Sequence, residues 1–247
     1  RILLVSDFNT GVLSGCLDAV EGQMAFDVKT ADYGQVIPVL MQKDIECWKV
    51  KYDAVVIWTQ PEAVIKTYDN VVNYEKVSLE EILEEVDRFA DYILGIRDRT
   101  RYVFVPSWTE PSYHRVFGMF DMKSKIGRSD ILMRMNINLS ERLDAVSNVF
   151  CLNSRKWIEA AGTNAFNPKL LYMGKVPFSN QVFIEAVNDI QYALKGLEGD
   201  AKKLIVLDLD DTLWGGIVGD VGWENIMRAH RYPHAKNRLS EHIVGTS

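Results

Sequence analysis

The sequence is 247 residues long, has 47% hydrophobic and 25% charged residues, and carries a net charge of -6. These values are typical of a globular protein with one large domain or two smaller ones. The acidic balance argues against a nucleic-acid partner, and no apolar run approaches the roughly 20 residues of a membrane span. The three cysteines match neither a disulfide framework nor a zinc pattern, so we expect a cytoplasmic protein.

Short apolar runs that end in polar turns recur along the first part of the chain. The first run, Ile2-Leu3-Leu4-Val5, opens into Ser6-Asp7-Phe8-Asn9, and similar runs cover residues 26–30, 52–58, 102–105 and 149–152. Segments long enough for crossover helices separate these runs. The alternation predicts an α/β fold with a doubly wound, largely parallel sheet.

Helix signals fill the segments between these runs. Ser78 and Glu81 form a capping-box pattern, and the apolar residues that follow keep three- and four-residue spacing. Further helices are predicted over about 129–147, 154–161 and 179–197. The acidic run after Ser78 fits a solvated helix face better than a partner-binding patch.

The loops at the carboxyl ends of the predicted strands are candidate sites, because doubly wound sheets bind ligands there. Cys151, at a strand end, could accept an acyl group, although a buried strand cysteine is more often inert packing. His114 could act as a base, although a lone loop histidine is more often a surface residue. The candidate polar and aromatic residues in these loops are Ser6, Asp7, Asn9, Trp58, Thr59, Ser107, Trp108 and His114.

A second pattern lies near the C-terminus, where an apolar run over 204–207 leads into Asp208-Leu209-Asp210-Asp211-Thr212 and then Gly215-Gly216. A carboxylate at the end of a buried strand loses hydration, which costs free energy unless the group has a partner, and a divalent cation could be that partner. Oxygen ligands from a carboxylate and a backbone carbonyl suit Mg²⁺, which often shares its site with a phosphate. An Asp beside such an ion can also act as a nucleophile. The alternative is an acidic turn that caps a helix, but the apolar strand, the Asp-x-Asp-x-Thr pattern and the glycine turn together favour a catalytic site.

This motif resembles the first motif of the haloacid dehalogenase superfamily, and its continuation through Asp220 is similar to the FkbH-like branch, the subfamily IIIC phosphatases. The resemblance implies Asp208 as the phosphoryl-accepting nucleophile and Asp210 as the acid/base. It also implies Asp208 and Asp210 as the magnesium ligands, and Thr212, Gly215 and Gly216 as substrate-binding residues. Some FkbH-like proteins move a glyceryl unit from a phosphorylated glycerate to an acyl carrier protein, and others belong to surface-polysaccharide pathways.

The first part of the chain is similar in layout to SGNH hydrolases, which commonly form the N-terminal domain of FkbH-like proteins. We expect an SGNH-like domain over 1–178, a connecting helix over 179–200 and the N-terminal part of a phosphatase domain over 201–247. An SGNH hydrolase has Gly-Asp-Ser in its first loop and a late Asp-x-x-His. Here Ser6-Asp7-Phe8 stands at the first position, and residues 149–178 contain no histidine. Serine hydrolase chemistry is therefore not expected in this domain.

Two classes of function follow from these patterns. The first is a Mg²⁺-dependent phosphatase or transferase that acts on a small phosphorylated acid, with an acyl carrier protein as a possible partner. The second is a non-catalytic module that presents a carrier protein or substrate. The later motifs of the phosphatase superfamily are absent up to Ser247, so we expect a truncated phosphatase part without turnover of its own.

Overall fold

The computed structural model describes residues 1–20, 25–42, 44–111, 113 and 118–199. Within these residues five strands form one sheet in the order β2-β1-β3-β4-β5, and every neighbouring pair is parallel. The predicted doubly wound, parallel α/β fold is therefore confirmed. The strands are β1 (Ile2–Ser6), β2 (Val28–Thr30), β3 (Tyr52–Trp58), β4 (Thr100–Pro106) and β5 (Val149–Leu152).

Helices connect the strands and lie on both faces of the sheet. Short 3-10 turns occupy Glu46–Lys49, Arg97–Arg99, Gly118–Phe120 and Gly162–Asn164. The α-helices of the described residues are α1 (Gly11–Asp18), α2 (Val36–Met41), α3 (Pro61–Val64), α4 (Lys66–Val72), α5 (Leu79–Leu94), α6 (Arg128–Leu143), α7 (Ser154–Ala161), α8 (Pro168–Gly174) and α9 (Asn180–Leu197).

The strands are buried on both faces, which is why they read as continuous apolar runs. Alternate residues of β1 enter different cores: Leu3 packs with residues of α2, α4, α5 and α6, whereas Leu4 packs with residues of α1, α7 and α9. Leu3 lies beside Val55 of β3 in the parallel register. This double burial fixes the sheet as the rigid centre from which the loops at its carboxyl edge project.

Helix α5 forms as its sequence predicts. The Ser78 hydroxyl accepts a hydrogen bond from the Glu81 amide at 3.1 Å, and the Glu81 carboxylate accepts one from the Ser78 amide at 3.1 Å. The capping box is thus complete. The apolar stripe is buried against the sheet through Leu79, Ile82, Val86, Phe89, Ala90 and Ile93.

Helix α6 begins in a tight approach between two backbone segments. The Asp121 carbonyl accepts hydrogen bonds from the amides of Ser129 and Asp130, at 3.1 and 3.2 Å. A Cβ atom placed on Gly127 would lie 2.1 Å from that carbonyl oxygen. Only glycine therefore allows the 118–127 segment to supply the first amides of α6 with an acceptor.

Contacts divide the chain into two compact units, residues 1–194 and 195–247, and most of the second lies outside the described residues. Helix α9 belongs largely to the first unit. Its apolar side enters the core on one face of the sheet through Val182, Phe183, Ala186, Val187, Ile190 and Leu194. None of the helices in the described ranges has the length and apolar character needed to cross a membrane.

Candidate functional site at the carboxyl edge of the sheet

Polar residues collect at the carboxyl edge of the sheet, as the strand pattern predicts. Because all strands are parallel, the loops after β1, β3, β4 and β5 leave the sheet at this edge. The strand order changes direction between β1 and β3, which is the usual place for a ligand crevice in such folds. The polar residues at or directly after these strand ends are Ser6, Asp7, Asn9, Thr59, Gln60, Ser107, Asn153 and Ser154.

The loop after β1 is held by its own side chains. The Ser6 hydroxyl accepts a hydrogen bond from the Phe8 amide at 3.1 Å, and Asn9 Oδ1 accepts one from the Gly11 amide at 2.9 Å. Asp7 Oδ1 accepts a hydrogen bond from the Gln60 amide at 2.8 Å and so joins this loop to the loop after β3. The two loops that flank the change of strand order are thereby fixed to each other.

Phe8, which stands where an SGNH hydrolase would carry its serine, is a core residue. It is 4% exposed, and its ring contacts Trp58 and Phe178 edge-on, with centroid distances of 5.6 and 5.7 Å. The position therefore contributes apolar packing and no nucleophile. Trp58, also predicted at the edge, lies in the same aromatic cluster and is 2% exposed.

Asp7 has an unusual protonation equilibrium for a carboxyl group. Burial raises its pKa to about 7, against the opposing effect of the hydrogen bond from the Gln60 amide, and the Glu62 carboxylate raises it further. A buried carboxylate loses hydration, so its neutral form is favoured. A carboxyl group with a pKa near neutrality can exchange protons at physiological pH.

A buried arginine links the loops after β3 and β4. The side chain of Arg128 is 6% exposed and pairs with Glu62 at 2.9 Å and Glu110 at 3.3 Å. Its Nε also donates to the Tyr68 hydroxyl at 3.2 Å, and Ser129 donates to Glu110. Burial raises the pKa of Glu62 although Arg128 opposes the shift. One buried guanidinium shared by two carboxylates fixes the geometry of this part of the edge.

Sequence patterns did not single out this arginine network. A usable signal was present: Glu62 and Glu110 each lie four residues after the end of a strand, at Trp58 and Pro106. Equal spacing after adjacent parallel strands brings side chains to the same edge. The cation itself comes from the start of α6, which the sequence placed one residue later, at Ser129.

A groove of about 750 Å³ lies near the ends of β4 and β5. The Trp108 amide donates to Asn136 Oδ1 at 2.8 Å, and the Asn136 amide group donates to the Trp108 carbonyl at 2.9 Å. Cys151 lines this groove, and burial raises the pKa of its thiol. A raised pKa disfavours the thiolate, so the structure agrees with inert packing rather than acyl acceptance. The apolar lining includes Met122, Leu132, Met133, Ile137 and Ile158.

A second cleft, of about 490 Å³, opens at the carboxyl ends of β1 and β2, and we name it the β1–β2 cleft. It combines the loop after β1, the loop after β2 and the end of α8. Its lining residues are Ser6, Phe8, Asn9, Thr10, Gly11, Thr30, Ala31, Tyr33, Gly174 and Lys175.

The predicted phosphoryl-transfer residues Asp208, Asp210, Thr212, Gly215 and Gly216 lie outside the described residues, as does His114. The part of the chain that is described contains no cluster of three or more His, Cys, Asp or Glu side chains able to hold a metal ion. The predicted magnesium ligands thus stay a prediction from the sequence.

Comparison with known proteins identifies the N-terminal part. The sequence matches the family described as FkbH, N-terminal domain, over residues 1–191. No curated protein matches the sequence. A solved structure of the N-terminal part of the protein BF1531 from Bacteroides fragilis, containing a phosphatase domain and complexed with Mg, is similar with a TM-score of 0.76 and 20% identity. The similarity covers 97% of this chain and 63% of that one, and at this identity it shows a shared fold.

A weaker similarity links the chain to a catalytic mutant of Axe2, an acetylxylan esterase from Geobacillus stearothermophilus. The TM-score is 0.48 at 12% identity, over 77% of this chain and 92% of that one. The family match extends over residues 1–191, which is more than half of the sequence. The protein therefore belongs to the FkbH family, and residues 1–191 match its N-terminal domain.

Proposed function

We propose that this protein is a Mg²⁺-dependent phosphatase or transferase of the FkbH type. Its substrate would be a small phosphorylated acid, such as a phosphoglycerate whose glyceryl unit is passed to an acyl carrier protein. Such a reaction belongs to polyketide or surface-polysaccharide biosynthesis. The observation that carries the proposal is the FkbH N-terminal domain followed by Asp208-x-Asp210-x-Thr212 in the same chain.

In this proposal two carboxyl groups share the chemistry. An oxygen of Asp208 forms a bond to phosphorus while the ester oxygen of the substrate leaves and takes a proton from Asp210. Asp210 then deprotonates the water or hydroxyl that attacks the phosphoryl group and releases Asp208. Thr212, Gly215 and Gly216 would bind the phosphoryl oxygens through their hydroxyl and amide hydrogens.

Magnesium would be held by Asp208 and Asp210, whose oxygen ligands suit a hard cation. When bound, it would neutralise negative charge on the phosphoryl oxygens. The described residues supply no competing metal cluster. These residues form the N-terminal domain, in which polar loops lie at the carboxyl edge of the sheet.

The test is the Asp208→Asn variant of the full-length enzyme, assayed for phosphate release and for acyl transfer from a phosphoglycerate with Mg²⁺ present. Loss of a nucleophile typically lowers the rate by at least about a thousandfold. Asp211→Asn is the matched control, because Asp211 is the neighbouring carboxylate at the variable position of the motif. We expect the control to keep most of its activity. A rate for Asp208→Asn close to that of the unaltered protein would exclude Asp208 as the nucleophile.

The second candidate function is a non-catalytic role for the N-terminal domain, which would present a carrier protein or substrate. It is favoured by the burial of Phe8 at the position of a hydrolase nucleophile. The two functions differ in the same assay. If the protein only presents a substrate to another enzyme, transfer in a reconstituted mixture survives the Asp208→Asn substitution.

A further inference from the structure

The β1–β2 cleft has a chemistry that the preceding function does not use. Its volume of about 490 Å³ is within the range of small-molecule sites. Its lining is mostly apolar, and the polar residues among those that line it are Ser6, Asn9, Thr10, Thr30, Tyr33 and Lys175. A cleft with a few converging polar groups on a rigid apolar base is suited to a specific small ligand.

The first turn of helix α1 lies at this cleft. The helix has no acidic residue in its first turn, and its N-cap residue Thr10 makes no side-chain capping bond. Asn9 Oδ1 accepts from the Gly11 amide. The Val12 amide has no acceptor within the described part of the chain. Free amides and the positive end of the helix dipole favour a negatively charged group.

Thr10 supplies an independent indication of a ligand. It is 3% exposed and lines the cleft, so the small accessible part of this residue opens into the cleft. Its hydroxyl makes no hydrogen bond to any described residue. Its oxygen is not among the fully buried side-chain oxygens without a partner, so it keeps some accessible surface, and a ligand oxygen in the cleft can accept its hydrogen.

Ser6 adds a second donor of the same kind. It is 5% exposed, and its oxygen already accepts a hydrogen bond from the Phe8 amide. The hydroxyl hydrogen is then left to donate, and Ser6 also lines the cleft. Two hydroxyl residues and the first turn of a helix therefore line one cleft.

Lys175 is an exposed residue that also lines this cleft. The residue lies at the end of α8 with a left-handed backbone, at φ 55°, and its carbonyl accepts a hydrogen bond from the Asn9 amide at 2.8 Å. This bond ties the lysine to the loop that carries Thr10. Its ammonium group forms no ion pair with any residue that the structure describes. The nearest acidic group of the loop, Asp7, is bound to Gln60 on the β3 side and does not line the cleft.

We propose that the β1–β2 cleft binds the phosphate group of a small phosphate ester. A phosphate group offers several oxygens in different directions, which suits donors that converge from Thr10, Ser6, the α1 amides and Lys175. The remaining volume and the exposed Tyr33 ring accommodate the organic part of the ester. This binding does not depend on the phosphoryl-transfer role of Asp208.

The test is calorimetric titration of the protein with inorganic phosphate and with glycerol 3-phosphate. Each anion replaces chloride, so that the ionic strength stays constant. We expect a dissociation constant of about 1 mM or lower for both anions, and we expect no binding of glycerol. The Thr10→Val variant should weaken binding about fivefold or more, whereas Thr10→Ser, which keeps the hydroxyl, should bind as the unaltered protein does. Lys175→Gln should weaken binding about tenfold or more, and Lys175→Arg should retain it.

Two controls separate this site from other anion sites. Lys169→Gln, at an exposed lysine of the same helix, should bind phosphate unchanged. Titration without Mg²⁺ and with EDTA separates this binding from the magnesium-dependent site proposed at Asp208. Equal binding by the unaltered protein, Thr10→Val and Lys175→Gln would overturn the proposal. Absence of phosphate binding, or failure of glycerol 3-phosphate to compete with inorganic phosphate, would overturn it as well.

Discussion

Asp7 and Phe8 are neighbours in the first loop, yet they have opposite roles. Phe8 packs into an aromatic cluster, whereas the carboxyl group of Asp7 bridges the loops after β1 and β3. The sequence placed a serine-hydrolase motif here with its nucleophile missing, and the structure shows what replaces it. A packed phenylalanine and a bridging carboxyl group together make this loop rigid.

The raised pKa of Asp7 gives a prediction about stability. Its pKa in the folded protein is about 7, above the value of about 3.9 for an unfolded chain. Between these values the folded state binds more protons, so its stability is complete at low pH and decreases as pH rises toward 7. Asp7→Asn keeps an oxygen for the Gln60 amide and removes this titration. Relative to the unaltered protein, we expect the variant to gain about 1–4 kcal/mol between pH 4 and pH 8.

Urea unfolding at several pH values measures this difference. Asp18→Asn, at an exposed carboxylate, is the matched control and should show no such change. A stability difference for Asp7→Asn that stays constant with pH would show that the pKa of Asp7 is the same in the folded and the unfolded protein.

The start of helix α6 depends on a glycine at position 127, which lies against the backbone of the preceding segment. Gly127→Ala would place a methyl group 2.1 Å from the Asp121 carbonyl oxygen and 2.3 Å from that of Phe120. The hydrogen bonds that the Asp121 carbonyl accepts from the amides of Ser129 and Asp130 must then lengthen or break. We expect a loss of about 2–4 kcal/mol in the free energy of unfolding, measured by urea denaturation.

Gly15→Ala is the control for this substitution. Gly15 lies inside α1, and an added Cβ would meet nothing within 4 Å. Alanine there should leave stability unchanged or raise it by about 0.5–1 kcal/mol. If both variants had similar stability, the close approach at Gly127 would be absent in solution.

These elements show why local patterns predicted so much of the fold. The capping box at Ser78 and the apolar strand runs involve residues close in sequence, so their spacing is readable directly. The arginine network and the approach at Gly127 join segments that are far apart or irregular. No periodicity encodes them, because they follow from the positions of strands and helices in space.

The candidate sites divide in the same way. The Asp208 motif is a compact sequence pattern and could be recognised without coordinates. In the β1–β2 cleft the loop after β1 meets Lys175, more than 160 residues later in the chain. Ser6 and Asn9 were predicted from their strand end, but Thr10 and Lys175 acquire their role only once α8 packs beside that loop.

At the scale of the whole molecule, α9 determines which N-terminal fragment can fold, because it contributes to the core. The sequence predicted a connecting helix over 179–200. Six side chains of α9 are buried in the core beneath β1, β3 and β4. Phe183 contacts Trp58 at a centroid distance of 5.7 Å and Phe178 at 6.0 Å. Removing α9 would expose the aromatic cluster that also holds Phe8.

We therefore predict that residues 1–178 do not fold stably, whereas residues 1–197 do. Each large buried apolar side chain contributes about 1.5–3 kcal/mol, and α9 carries several, against a total stability of about 5–15 kcal/mol for a domain. Urea unfolding followed by circular dichroism should show a cooperative transition only for 1–197. The longer fragment is the control, since it differs only by the segment that contains α9. A cooperative transition of 1–178 at the same midpoint would show that the N-terminal domain folds without α9, as expected for a connecting helix.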